Sequence, residues 1–246
     1  MKISGETLSV LKNFASINTN MVFKPGSTIS TMSSAKNIVA MATISEKIPN
    51  NFAIYDLNSL LALLTLMNDQ EVSFGDNSLI ITSSAGTFEY FYSNPELVVG
   101  GVKEIETHVV YEFKLTAEDI QTLMKAAAIT SAPTISFTCK DSEVNIIVSD
   151  RKNESSNTFK KPIGTSFEPF DVFIAVENLK VIPEAYTVSV AKGPNEKGRF
   201  IRLDNESKDL KYWIAAEPGS VAWAKNIYGS KSIDQELSIV VSYQLI

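Results

Sequence analysis

Asn51 to Asp69 reads NFAIYDLNSLLALLTLMND, and this stretch decides the fold. Phe52, Ala53 and Ile54 form a short apolar run, and Asp56 stands where a side-chain acceptor would meet the free N–H groups of a helix's first turn. Leu57, Leu60, Leu61, Leu63 and Leu64 follow, a set too apolar for a surface helix. The stretch predicts a strand running directly into a well-buried helix.

The segments on either side complete a sheet-rich unit. Upstream, Leu8, Leu11 and Ala15, with Ile17 nearby, recur at the spacing of one helical face, leaving Ser9, Lys12, Asn13 and Ser16 on a polar, weakly basic opposite face. Lys24-Pro25-Gly26-Ser27 is a turn, and MVF, TISTM and IVAMATI around it read as short strands of a meander. Downstream, turns at Gly75-Asp76-Asn77 and Ser84-Ala85-Gly86 separate EVSF, SLIITS and TFEYFYS. The last of these is dense in aromatics and suits an edge or interface strand. Pro95, Gly100, Gly101 and mixed charges then mark a linker.

A second cycle begins at Val109. YEFKL reads as a strand, and Thr116 with Asp119 reads as a capping box opening a helix. Ile120, Leu123, Met124 and Ala127 form its apolar stripe, with Glu118, Gln121, Thr122 and Lys125 on the other face. TISFTCK and EVNIIVS repeat the meander, and DVFIAVENLKVI echoes the strand-to-helix stretch and closes at Pro183. YTVSVAK, GRFIRLD and LKYWIAA read as three more strands. Thr116 stands 112 positions after Ser4, and Phe173 stands 121 after Phe52, which points to a duplicated domain. The fold class expected is therefore α+β, with two tandem domains that each pack two helices on antiparallel sheets.

Composition narrows the function. At 246 residues the chain exceeds a typical single domain of about 100–150 residues. A balance of 22 basic against 28 acidic side chains gives a net charge of −6, so the average surface repels polyanions, and only a concentration of lysines on one face would bind one. The single cysteine, Cys139, excludes an internal disulfide, suggests a reducing compartment, and reads as a small buried hydrophobe. The start MKISGETLSV lacks the apolar core of a signal peptide, and no apolar run approaches the ~18 residues of a membrane span. The expectation is a soluble intracellular protein without a membrane partner.

Catalytic chemistry is sparse. The single histidine, His108, lies at the linker with no cysteine beside it, so neither a cofactor nor a metal is expected. Gly193-Pro194-Asn195-Glu196-Lys197-Gly198 resembles a glycine-rich loop, yet it joins two predicted strands and reads as a hairpin turn. What remains is Lys12, Lys125 and Lys180 on the polar sides of three predicted helices. They are either ordinary solvated surface or a shared, mildly positive surface for a phosphate backbone.

MKISGETLSVLKNFASIN, AIYDLNSLLALLTLMND, TAEDIQTLMKAAAI, VENLKVIPEAYTVSV and YWIA together resemble the DNA polymerase sliding clamps of T-even-type tailed phages and related phages of cyanobacteria. The match runs from Met1 to about Gly219, with LKNFASIN and AIYDLN as its most diagnostic pieces. The resemblance implies clamp domains at 1–93 and 109–219, a linker at 94–108 and a C-terminal extension at 220–246. It implies a non-enzymatic processivity factor, a homotrimeric ring around double-stranded DNA whose helices line the hole.

Lys12, Lys125 and Lys180 would then face DNA, with Ser9, Asn13, Gln121 and Thr122 beside them. The subunit interface would pair the last strand of the first domain, with Thr87, Phe88, Tyr90 and Tyr92, against a neighbour's strand holding Asn157, Phe159 and Lys161. Those aromatics read equally well as core. Implied partners are the C-terminal peptide of the replicative DNA polymerase, a clamp loader and late transcription factors, in the cytoplasm of an infected bacterium. The tail, ending SIVVSYQLI, departs from the family pattern, as an extra strand, an added segment or an occupant of the partner groove. The competing reading is an oligomeric β-rich structural or assembly protein of a phage particle.

Overall fold

The computed structural model describes residues 1–67, 69–99, 102–194 and 198–222. The tail from 223 onward, with its expected strand at 238–246, and the middle of the 193–198 turn lie outside the described residues. In chain order the elements of the first half are α1 (Gly5–Ile17), β1 (Met21–Phe23), β2 (Gly26–Met32), β3 (Ile38–Ile48), β4 (Phe52–Ile54), α2 (Leu57–Leu66), β5 (Glu71–Phe74), β6 (Ser78–Ser83) and β7 (Gly86–Phe91). Those of the second are β8 (His108–Leu115), α3 (Ala117–Thr130), β9 (Thr134–Lys140), β10 (Glu143–Ser149), β11 (Phe159–Thr165), β12 (Phe170–Ala175), β13 (Tyr186–Lys192), β14 (Arg199–Asn205), β15 (Leu210–Ala215) and β16 (Val221–Ala222). This is an α+β arrangement of helices on antiparallel sheets. They form two compact units: Met1–Glu104 with Lys180–Ile182 and Ser207–Lys211, and Ile105–Leu179 with Pro183–Glu206 and the chain from Tyr212.

In the first unit the opening stretch folds as its sequence predicts at both ends. Asp56 caps α2 by accepting from the Asn58 and Ser59 N–H groups, at 3.0 and 3.2 Å. Leu57, Leu60, Leu61 and Leu64 are buried, each contributing roughly 1.5–3 kcal/mol of transfer free energy before entropy is subtracted. The helix is not buried all round, however: Asn58, Ala62 and Thr65 are exposed, and Leu66 is 67% exposed. One apolar face packs against α1, whose own buried residues are Thr7, Val10, Leu11, Phe14, Ala15 and Ile17.

Beneath the helices β2 pairs with β3, β1 with β4, and β5, β6 and β7 form a three-stranded sheet in that order, all antiparallel. A stack of aromatics, Phe23 on Phe52 and Phe52 on Tyr92, each at 4.7 Å between ring centres, binds β1 and β4 to the end of β7.

In the second unit α3 has the expected capping box, with Thr116 Oγ1 accepting from the Asp119 N–H and Asp119 accepting from the Thr116 N–H. It ends at Ser131, whose left-handed backbone, φ 54, returns its N–H to the last carbonyls. Ile120, Leu123 and Ala127 are buried, and Met124 is half-buried. One sheet runs β11-β10-β9-β12-β16, and another carries β15-β14-β13-β8, in which β13 and β14 pair antiparallel from Thr187 opposite Asp204 to Lys192 opposite Arg199. Cys139 is buried and its thiol donates to the Ser166 carbonyl at 3.5 Å.

The expectation of two helices in each half fails in the second. After β12 the chain makes a 3-10 turn, Val176–Asn178, where the sequence predicts a helix through Lys180. No side chain caps it, since Ala175 stands where Asp56 stands in the first half. Pro183 closes the segment and disfavours the helical conformation at Ile182, which leaves fewer than two turns of chain. Lys180 therefore lies outside any helix.

Candidate nucleic-acid interface and assembly edges

Ser9 and Lys12 are exposed on α1, and Asn13 is half-exposed. Their presentation depends on what holds the two ends of that helix. At the N-terminus Ser4 Oγ accepts from the Thr7 N–H at 3.1 Å. The Glu46 carboxylate, reaching from β3, accepts from the Ser4 N–H, from the Thr7 hydroxyl and from the Ser45 hydroxyl. Burial pushes this carboxyl up, and the hydrogen bonds from Thr7 and Ser4 more than offset it, so it titrates below the ordinary glutamate value. At the C-terminus Lys180 Nζ donates to the Ser16 carbonyl at 2.8 Å, a cation where the helix dipole favours one. Asn13 Nδ2 donates to the Lys180 carbonyl at 3.1 Å. Lys180 thus belongs to the first unit, beside Asn13, and reaches the α1 face from a loop. A shallow recess lined by Asn58, Leu61, Ala62, Thr65 and Leu66 borders Lys12, and α2 adds no charge to it.

In the second unit Gln121, Thr122 and Lys125 are exposed along one face of α3, with Glu118 at its start. Asp119 also receives the Lys161 ammonium at 2.9 Å, and hydrogen bonds from Lys161 and from the Thr116 N–H hold its carboxyl below the ordinary aspartate value. The first turn of α3 is thereby tied to β11.

The residues expected at an interface divide. β7 and β11 are outer strands of their sheets, with Thr87 and Phe88 exposed on β7, and Phe159 half-exposed with Lys161 on β11. Asn157 is exposed in the turn before β11. Tyr90 and Tyr92 are instead tied to their own unit. The Tyr90 hydroxyl donates to the Asp56 carbonyl at 3.0 Å, and Tyr92 stacks on Phe52. Among the described residues the exposed aromatics are Phe88, Phe91 and Tyr55 in the first unit, at 44%, 66% and 61%, and Phe167 in the second, at 100%.

Sequence reasoning missed Phe91, because alternation along TFEYFYS puts it on the face opposite Phe88. It also missed Glu46. The signal was present: in IVAMATISEKI the inward positions are Ala42, Ile44, Glu46 and Ile48, and an acid on a buried face needs donors.

Residues 4–93 match the sequence profile of the family described as DNA polymerase processivity factor. The sliding clamp of Vibrio phage KVP40 is 32% identical over 226 residues, covering 88% of this chain and 99% of that protein. The sliding clamp of Enterobacteria phage T4 is 31% identical over 229 residues, covering 89% and 98%. In fold the chain is similar to the crystal structure of proliferating cellular nuclear antigen from Entamoeba histolytica, with a TM-score of 0.61 and 15% identity over 85% of this chain and 94% of that one. These relatives do not favour the particle-protein alternative. With near-full-length relatives above 30% identity and a matching fold, the chain belongs to the sliding clamps, the processivity factors of phage DNA polymerases.

Proposed function

We propose that three copies join head to tail into a closed ring around double-stranded DNA, tethering the replicative polymerase without a catalytic step of their own. The observation that carries this reading is that each unit has an outer strand suited to the other: β7 offers exposed aromatics with Glu89, and β11 begins with Phe159, Lys160 and Lys161. Pro162, which has no N–H, and a register break opposite Val144/Asn145 limit further pairing, so the contact centres on 159–161 with Asn157 beside it. Thr87 and Phe88 meet this edge, while Tyr90 and Tyr92 support the strand from behind. Repeated three times, a heterologous contact of this kind closes.

Lys12, Lys125 and Lys180, with Ser9, Asn13, Gln121 and Thr122, form the DNA-facing surface. Lys180 acts from its loop at the end of α1. A topological link explains how a chain of net charge −6 holds DNA through few nonspecific contacts. The domains are 1–93 and 109–219, joined by 94–108 and followed by an extension at 220–246. Further partners are the polymerase C-terminal peptide, a clamp loader and late transcription factors in the infected host's cytoplasm.

Retention on DNA tests the proposal. The assembled protein should remain on nicked circular DNA and leave linear DNA through its ends, with a mass of three chains by light scattering. Replacing Lys12, Lys125 and Lys180 by alanine should weaken retention and lower the salt slope by up to about 0.9 per lost phosphate contact, with the trimer intact. Retention independent of DNA topology refutes the ring, and unchanged retention in the triple variant removes these lysines from the DNA surface.

A further inference from the structure

Two sheets are closed on one side by short segments of the chain's own backbone. In the second unit Glu217-Pro218-Gly219-Ser220 forms a type II turn: the Ser220 N–H donates to the Glu217 carbonyl at 3.2 Å, proline sets the first corner, and Gly219, at φ 89, supplies the second. The turn places both its ends on one residue of β12. The Glu217 N–H donates to the Phe173 carbonyl at 2.8 Å, and the Phe173 N–H donates to Ser220 Oγ at 3.1 Å. β16 then continues along the same edge, with Val221 opposite Asp171 and Ala222 opposite Phe170. In the first unit the Met1 ammonium donates to the Val72 carbonyl, and the Val72 N–H donates to the Met1 carbonyl, both at 2.8 Å, which closes the outer side of β5. The opposite outer strands of these two sheets, β7 and β11, have no strand beside them among the described residues.

We infer that residues 217–222 are an edge guard: they occupy a second strand-pairing surface, on β12, that would otherwise accept an extended strand from another copy of this chain. Outer strands elsewhere in the unit carry their own protection. β11 has a proline and a register break that stop pairing beyond 159–161, and β8 has Glu112, Lys114 and a register break at Val190/Ala191. β12, FDVFIA, has none of these features. Its one charge, Asp171, is held by Arg151 at 2.6 and 2.8 Å, and the same guanidinium lies 4.0 Å over the Phe173 ring. An apolar, β-branched edge of this kind templates pairing. A ring needs one edge that offers and one that accepts, and a second accepting edge turns closure into open chains. The inference rests on the head-to-tail reading only for the identity of the intruding strand, β7.

The test opens the guard in the full-length chain with Ser220→Pro and Ala222→Pro. Sedimentation velocity across a hundredfold concentration range is run alongside amide exchange at Phe173. The expected result is at least tenfold faster exchange at the Phe173 amide, together with species larger than the parent assembly that grow with concentration. A size distribution identical to the parent's overturns the inference, whether exchange at Phe173 rises or stays protected. If circular dichroism shows that the double variant has not folded, Val221→Pro, at a 50% exposed position, is judged by the same criteria. A parent that sediments as a single chain refutes the ring separately, because the guard is read from the difference between variant and parent.

Discussion

Replacing Glu46 by glutamine tests how α1, the helix that carries the proposed DNA contacts Ser9, Lys12 and Asn13, is held. The amide keeps the volume and one acceptor oxygen, but sets an NH2 group against donors that now point at a carboxylate, the Ser4 N–H and the Thr7 hydroxyl. No cavity forms, so the loss is that of charge-assisted hydrogen bonds at a buried position, about 2–3 kcal/mol. In a unit of roughly 100 residues that lowers the thermal midpoint by on the order of 10 °C. The pH dependence has a definite sign. Because the carboxyl titrates below its ordinary value of 4.5 in the folded state, its contribution is complete above that value and is lost as pH falls through the folded value.

Calorimetry of parent and Glu46→Gln should therefore show a constant gap between pH 8 and 6 that narrows under acid. A variant melting within about 1 °C of the parent at pH 7, or a gap that widens on acidification, would refute the reasoning.

Three other outcomes follow from the second unit and the edges. Gly164→Ala puts a methyl 2.3 Å from the Tyr111 hydroxyl at a φ of 147, so it should cost about 1–3 kcal/mol in urea unfolding, with partial recovery in Tyr111→Phe. Asp119→Asn weakens the α3 capping box and the Lys161 pair; unfolding should be easier by about 1 kcal/mol at neutral pH, and the difference should shrink as pH falls through the lowered carboxyl value. Glu89→Lys should weaken the proposed trimer by tenfold or more in dilution sedimentation, and Lys160→Glu in the same chain should restore it.

The sequence by itself determined what short-range chemistry fixes. The caps at Asp56 and Thr116, the leucine face of α2, the Pro-Gly turn and the alternation of the strands each state their outcome within a few residues. It failed where a local pattern ran out of length. VENLKVI has helical spacing, but without a cap before it and with Pro183 after it only a single 3-10 turn forms.

Tertiary structure alone decided the long-range partners. That Glu46 holds the start of α1, that Lys180 docks on the end of α1 across 164 residues of sequence, and that Glu217 and Ser220 close on Phe173 depend on segments distant in the chain meeting in space. The same holds for the aromatics of β7. Alternation separates Phe88 from Phe91, but only the packed unit shows that Tyr92 stacks into the core while Phe91 is left to solvent. Burial is a property of what lies opposite a residue, and a single strand does not carry that information.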